Sequence, residues 1–244
     1  MAGKEKQPCS GEPQRIKTGV EGLDKLIDGG YVRDSTIMVR GDTGTGKTLF
    51  CIQYLYMGAM KYNEPGIYIT FSESEESICQ HGVSLGWDLE KLVKENKLAV
   101  LKYEPHDMAN ILAQGGGSLQ DTMESLGAKR LVIDSLTAYQ MVFESEYKMN
   151  ESVLSLFELL RKWRCTTLVT SEFPVTPKKE SGGRLGFLTD GIINLYHMLH
   201  NAKRLRVLEI IKMRDTAHNE GLNVLIINKK GLSITGGLKH IGRR

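Results

Sequence analysis

Cysteine is scarce in this 244-residue chain: there are four, Cys9, Cys51, Cys79 and Cys165, and no two form a C-x-x-C pair. That spacing excludes a zinc-ribbon pattern and the dense disulfide framework of a small secreted domain, and it reads as reduced thiols in a cytoplasmic protein. Long apolar runs are missing too, since no stretch approaches the roughly 20 residues that a membrane span requires. Residues 1–17 are polar and interrupted by Pro8 and Pro13, so they lack the apolar centre of a secretory leader, and neither export nor membrane insertion is expected. There is no large excess of charge of one sign: 32 Lys and Arg against 29 Asp and Glu leave +3, a field that permits nucleic acid without demanding it. No Pro-, Ser- or Gly-rich linker, internal repeat or low-complexity tract divides the chain. Residues 1–15 are therefore read as a polar flexible tail and 16–244 as one domain, large enough to bury a core without a disulfide or metal.

What is present is an alternation of strand-like and helix-like runs. Leu23, Leu26 and Ile27 fall at helical spacing and close on Gly29-Gly30, which predicts a short helix and a turn. Strands are predicted over 36–40, 66–71, 97–103, 130–134 and 166–170, with helices over 49–62, 73–82, 118–126 and 150–163. Strands separated by helices imply βαβ crossovers, so the expected class is α/β, a mostly parallel sheet covered on both faces. After Gly191 the rhythm changes. Runs at 192–199, 204–212 and 223–228, joined by short polar turns, predict antiparallel C-terminal strands that extend the same sheet.

The strand over 36–40 runs into Gly41-Asp42-Thr43-Gly44-Thr45-Gly46-Lys47-Thr48, and Leu49 opens the helix that follows. This is the G-x-x-x-x-G-K-T phosphate loop. Its glycines let backbone N–H groups crowd phosphate oxygens, Lys47 reaches the β- and γ-phosphates, and Thr48 offers a hydroxyl to Mg²⁺. Four such fixed positions arise by accident in on the order of one per cent of chains this long, before the strand and helix context is counted. The expected ligand is ATP with Mg²⁺. Leu131-Val132-Ile133-Asp134 is an apolar strand ending in an acid, which places a carboxylate where ligands bind on parallel sheets. Such an acid also serves as a helix cap, and it is the phosphate loop that turns Asp134 toward Mg²⁺.

Hydrolysis needs a group that orients water, and Glu73, just past the second strand, is the candidate; acids there also suit a helix N-terminus with no catalysis at all. Lys212 and Arg214 share one face at the end of a strand, where they can serve a phosphate or simply guard a strand edge. The stretch 174–187 holds Lys178, Lys179 and Arg184 among glycines. It reads as a solvated loop or as a bed for single-stranded DNA. His197 and His200, three apart on a strand, face opposite ways and do not suggest a shared metal.

Taken in order, Thr18-Gly19 through Leu23-Asp24, Gly29-Gly30, the phosphate loop, Gly86-Trp87-Asp88, Leu131 to Ser135, Thr189 to Ile193 and Lys212-Met213-Arg214 resemble the KaiC-like branch of the RecA superfamily of ATPases. The resemblance covers nearly everything after residue 15. It implies a RecA-like P-loop core that assembles into rings, commonly hexamers, with ATP at subunit interfaces. In that arrangement Lys212 and Arg214 act on a neighbour's nucleotide and His218 becomes a further contact from the neighbour. Roles in this family span circadian timing, recombination and signalling, so a signalling or recombination partner is open and no pathway is fixed. Two departures matter. The clock protein carries two such domains in tandem and this chain one, and where many relatives have Phe-Glu-Glu this chain has Phe71-Ser72-Glu73. The expectation is an ATPase with slow turnover; the alternative is a nucleotide-switched module that grips DNA or a protein with little turnover.

Overall fold

The computed structural model describes residues 11–172, 186–200 and 203–237. Arg15–Ile16 (β1) pairs antiparallel with Tyr31–Val32 (β2), so Arg15, which the sequence assigns to the tail, is tied to the domain. Between them Asp24–Leu26 forms a single 3-10 turn in place of the predicted short helix. The βα alternation then begins: Thr36–Gly41 (β3), Lys47–Lys61 (α1), Gly66–Thr70 (β4), Glu75–Val83 (α2), Leu89–Lys94 (α3) and Leu98–Lys102 (β5). Pro105–Ala113 (α4), Gly117–Leu126 (α5), Arg130–Asp134 (β6), Leu136–Gln140 (α6), Glu146–Trp163 (α7) and Thr166–Glu172 (β7) complete it. The C-terminal part is Gly191–His200 (β8), Lys203–Met213 (β9), Asn223–Asn228 (β10) and Gly231–Gly237 (β11).

Nine strands form one sheet in the order β11-β10-β9-β8-β3-β7-β6-β4-β5. From β8 to β5 every neighbouring pair is parallel, whereas β8 to β11 are joined antiparallel. This is the expected mostly parallel sheet with antiparallel C-terminal strands, except that β8 itself runs parallel to β3 and the antiparallel part starts at β9. The central strands are buried on both faces, which explains their unbroken apolar runs. Alternation sorts them: Ile37, Val39, Tyr68 and Val132 join one core with α1, while Met38, Ile69, Ile133 and Val169 join the other with α4 to α7.

At the N-terminal end of β6 the guanidinium of Arg130 is fully buried. It donates to Glu64 Oε2 (2.8 and 2.5 Å) and to the carbonyls of Tyr54 (2.7 Å) and Lys17 (2.9 Å), and it lies over the Tyr54 ring. A buried cation this fully bonded is tolerated, and it tethers α1, the segment after it and the N-terminal strand region to the sheet. Gln53 makes a second tether, from α1 to Gly19 and to Leu232 of β11.

Candidate nucleotide site

Gly41 ends β3, Thr70 ends β4, Asp134 ends β6 and Thr170 lies near the end of β7, so one edge of the sheet gathers them at the strands' C-terminal ends. There β3, flanked by β7 and β8, hands the chain to the phosphate loop. Gly44 and Gly46 have φ of +79° and +104°, a left-handed backbone that side chains rarely adopt. Gly46 precedes α1 and offers it no side-chain cap, and no acid lies in its first turn, whereas α2, α3, α6 and α7 are capped by Ser74, Asp88, Ser135 and Ser145. Open N–H groups at the positive end of a 15-residue helix make a seat for an anion.

Lys47, 7% exposed, folds its ammonium onto the carbonyls of Gly41 (3.0 Å) and Asp42 (3.1 Å). Both acceptors are neutral, so a phosphate offering charge-assisted hydrogen bonds outcompetes them. Thr45 Oγ1 donates to the Asp42 carbonyl (2.8 Å) and the Thr43 N–H to Asp42 Oδ1 (2.8 Å), which hold the turn. Leu49 packs its side chain on the core. Arg206 of β9, not singled out by sequence, reaches the loop from the side, its Nε 3.3 Å from the Gly44 carbonyl.

Thr48 Oγ1 donates to Asp134 Oδ2 at 3.0 Å, so the two residues assigned to Mg²⁺ are in contact. Two further hydroxyls close on the same carboxylate: Tyr68 on Oδ2 (2.5 Å) and Thr170 on Oδ1 (2.5 Å). Burial, followed by the nearby Asp134 charge, pushes the Tyr68 phenol well above its ordinary range, so it stays a donor. Sequence reasoning passed over Tyr68 and Thr170 because Tyr and Thr inside apolar strands read as ordinary β-formers. Hydroxyl and carboxylate oxygens are the hard donors that suit Mg²⁺. Among the described residues no three His, Cys, Asp or Glu side chains cluster to hold a metal alone, so an ion held by Thr48 and Asp134 would need further ligands from outside these side chains.

Glu73 precedes the cap of α2 and does not lie in its first turn, where Glu75 and Glu76 sit. The Thr70 hydroxyl accepts from the N–H groups of Ser72 (3.3 Å) and Glu73 (3.0 Å), bending the chain away from β4 at the residue that pairs with Asp134. Glu73 Oε2 accepts from Ser77 Oγ (2.5 Å) and His81 Nε2 (2.8 Å). Burial alone would raise its pKa, but these bonds and the His81 charge outweigh it and hold the carboxyl below the usual range.

Lys212, Arg214 and His218 stand elsewhere. Lys212 pairs with Ile192, and Met213 with Gly191, which itself pairs with Ile37 at the start of β3; the loop begins four residues on, at Gly41. At ~3.3 Å per residue that is roughly 13 Å along the sheet at the level of Met213 and about 10 Å at that of Lys212, whose partner Ile192 pairs with Met38, and both cations are turned to other partners than their own chain's phosphate loop. Lys212 Nζ donates instead to the carbonyls of Gly186 (3.0 Å) and Thr189 (2.7 Å), and Arg214 to Asp190 (3.1 Å) and the Phe187 carbonyl (3.2 Å). Burial, then the Arg214 charge, lowers the Lys212 pKa. The His218 Nδ1 is shielded from solvent with no hydrogen-bond partner among the described residues. Lys178, Lys179 and Arg184 lie outside the described residues.

The family model "ATPase: KaiC" matches residues 16–239. The chain belongs to the KaiC ATPase family. It is 35% identical over 221 residues to the circadian clock oscillator protein KaiC of Prochlorococcus marinus subsp. pastoris, covering 85% of this chain and 42% of that protein. Against KaiC of Synechococcus elongatus it is 33% identical over 233 residues, covering 90% and 44%. The chain thus spans less than half the length of these curated relatives. The crystal structure of a KaiC-like protein from the hyperthermophile Pyrococcus horikoshii matches with a TM-score of 0.81 at 33% identity, over 91% of this chain and 99% of that one. A single KaiC-like domain with a RecA-type fold is therefore the unit in hand.

Proposed function

We propose that the protein binds Mg-ATP at the loop of Gly41 to Thr48 and hydrolyses it slowly at the interface between copies of itself. The observation that carries this reading is the Thr48–Asp134 contact beside the uncapped start of α1, with Lys47 held only by neutral carbonyls. Thr48 and Asp134 would hold the ion, Asp134 through water, and a Mg²⁺ held there would supply positive charge to offset that of the phosphates. Glu73 orients the attacking water through its ionised carboxylate, the one acid left where Ser72 departs from the family pattern.

Lys212 and Arg214 serve the phosphates of a neighbouring copy, joined by His218, because the sheet keeps them from their own. Groups of this kind contribute roughly 10³ to 10⁵ in rate where they have been measured. A ring, commonly six-membered in this family, satisfies every site. The test mixes Lys47→Ala with Arg214→Ala chains, each inactive alone. Shared sites recover part of the activity in mixed assemblies, and no recovery in assemblies verified as mixed refutes sharing. Mass in solution with and without ATP measures the assembly itself.

A second reading, a nucleotide-switched module with little turnover acting on a protein or single-stranded DNA, is favoured by Ser72 standing where relatives carry an acid. It predicts tight Mg-ATP binding with phosphate release no higher than in Glu73→Gln.

A further inference from the structure

The two carboxylate oxygens of Glu73 are treated differently. Oε2 accepts both Ser77 Oγ and His81 Nε2, whereas Oε1 accepts nothing among the described residues. A carboxylate gripped at one oxygen and open at the other is arranged like a base oriented by a third group. The grip is built into the local fold. Residues 73, 77 and 81 are spaced by four, so Ser77 and His81 rise on one face of α2 directly above Glu73. Ser74 caps the helix by accepting from the Ser77 N–H (3.2 Å), which fixes the turn that carries the Ser77 hydroxyl. Thr70 fixes the Glu73 backbone from the other side. The acid is held at both ends.

Its position ties the grip to the chemistry. Thr70, whose hydroxyl accepts from the Glu73 N–H, is the register partner of Asp134.

We propose that Ser77 and His81 are positioning residues that hold Glu73 by Oε2 and present Oε1 to the water attacking the γ-phosphate. This rests on Glu73 being the water-orienting group of the proposed function. With Ser72 in place of a second acid, the orientation of the single remaining one governs turnover. Because a carboxylate with two donors on it can only accept, His81 presents Nε2–H to it.

The experiment measures steady-state phosphate release at saturating Mg-ATP, with the affinity for a fluorescent ATP analogue determined alongside. The variants are Ser77→Ala, His81→Leu, His81→Gln, Glu73→Gln and the double variant Glu73→Gln/His81→Leu. Ser77→Ala and His81→Leu each lower kcat by roughly tenfold, short of the 10²- to 10⁴-fold cost of losing general-base help altogether, while analogue affinity stays within about twofold. His81→Gln, whose amide nitrogen stands near the position of Nε2, restores most of the rate, and in the Glu73→Gln background His81→Leu removes nothing more. If Glu73→Gln lowers kcat but Ser77→Ala and His81→Leu do not, the positioning inference is overturned and the base assignment survives. Positioning is equally overturned if His81→Leu is as damaging without the Glu73 carboxylate, or if it lowers analogue affinity along with kcat. If Glu73→Gln leaves kcat unchanged, or the unsubstituted chain releases no phosphate, the base assignment falls and the inference with it.

Discussion

Tyr68→Phe isolates the hydroxyl that links the core to Asp134. The ring is 1% exposed and its oxygen lies 2.5 Å from Asp134 Oδ2. Phenylalanine keeps the ring's packing and deletes only the donor, so no cavity beyond the hydroxyl's own volume enters the balance. A hydrogen bond to a charged group contributes about 1.5–3 kcal/mol net. Asp134 retains Thr48 and Thr170, so it is not left unpaired, and removing a buried polar group offsets part of the loss. The lower end applies, about 1.5 kcal/mol. In a domain of this size 1 kcal/mol moves Tm by ~2–4 °C, so Tyr68→Phe melts roughly 3–6 °C lower. Thermal unfolding of the nucleotide-free protein, followed by circular dichroism, reads the shift. A Tm equal to or above that of the unsubstituted protein refutes the reasoning, because it means the phenol gives no net hydrogen bond to an ionised Asp134.

Gly58→Ala is expected to destabilise by about 3 kcal/mol, against the usual helical preference for alanine, because the added Cβ comes 2.4 Å from Arg130 Cδ and Nε and pushes the buried guanidinium off its partners; urea unfolding measures it. Lys47→Ala abolishes the rise in Tm that Mg-ATP produces, and chelating the divalent ion with EDTA reduces the same rise in the unsubstituted protein, both by differential scanning fluorimetry. Acidification tests Glu73. Its carboxyl is held below the ordinary range, burial notwithstanding, by Ser77 and His81, so its contribution to stability is present above the unfolded glutamate's pKa and is lost as pH falls through the folded one. In Glu73→Gln this part of the pH dependence of urea unfolding disappears.

Much of the site was legible because its pieces are contiguous or end a run. The phosphate loop is a continuous string, and Asp134 follows the three apolar strand residues Leu131, Val132 and Ile133. Tyr68 and Thr170 were not, because only the register of β4, β6 and β7 brings them onto one carboxylate, and pairing partners leave no mark in a single sequence. The same reason hid the parallel pairing of β8 with β3. Helices α3, α4 and α6, of six, nine and five residues, are too short for periodicity to resolve, though Asp88, Pro105 and Ser135 at their starts were usable signals. The Ser77 and His81 grip needed the true start of α2. A helix begun at Glu73 would have put that acid in the first turn and left it a simple partner of the macrodipole.

The separation of Lys212 and Arg214 from the phosphate loop along the sheet has an arithmetic consequence under the shared-site proposal. Repeated head-to-tail, a contact that joins one end of the sheet to the other end of the next copy builds a row or a ring. An open row of n copies then holds n − 1 complete sites, with an unserved loop at one terminus and an idle pair of cations at the other. A closed ring holds n. The last subunit to join therefore completes two sites at once, and specific activity falls with dilution even though each chain remains intact.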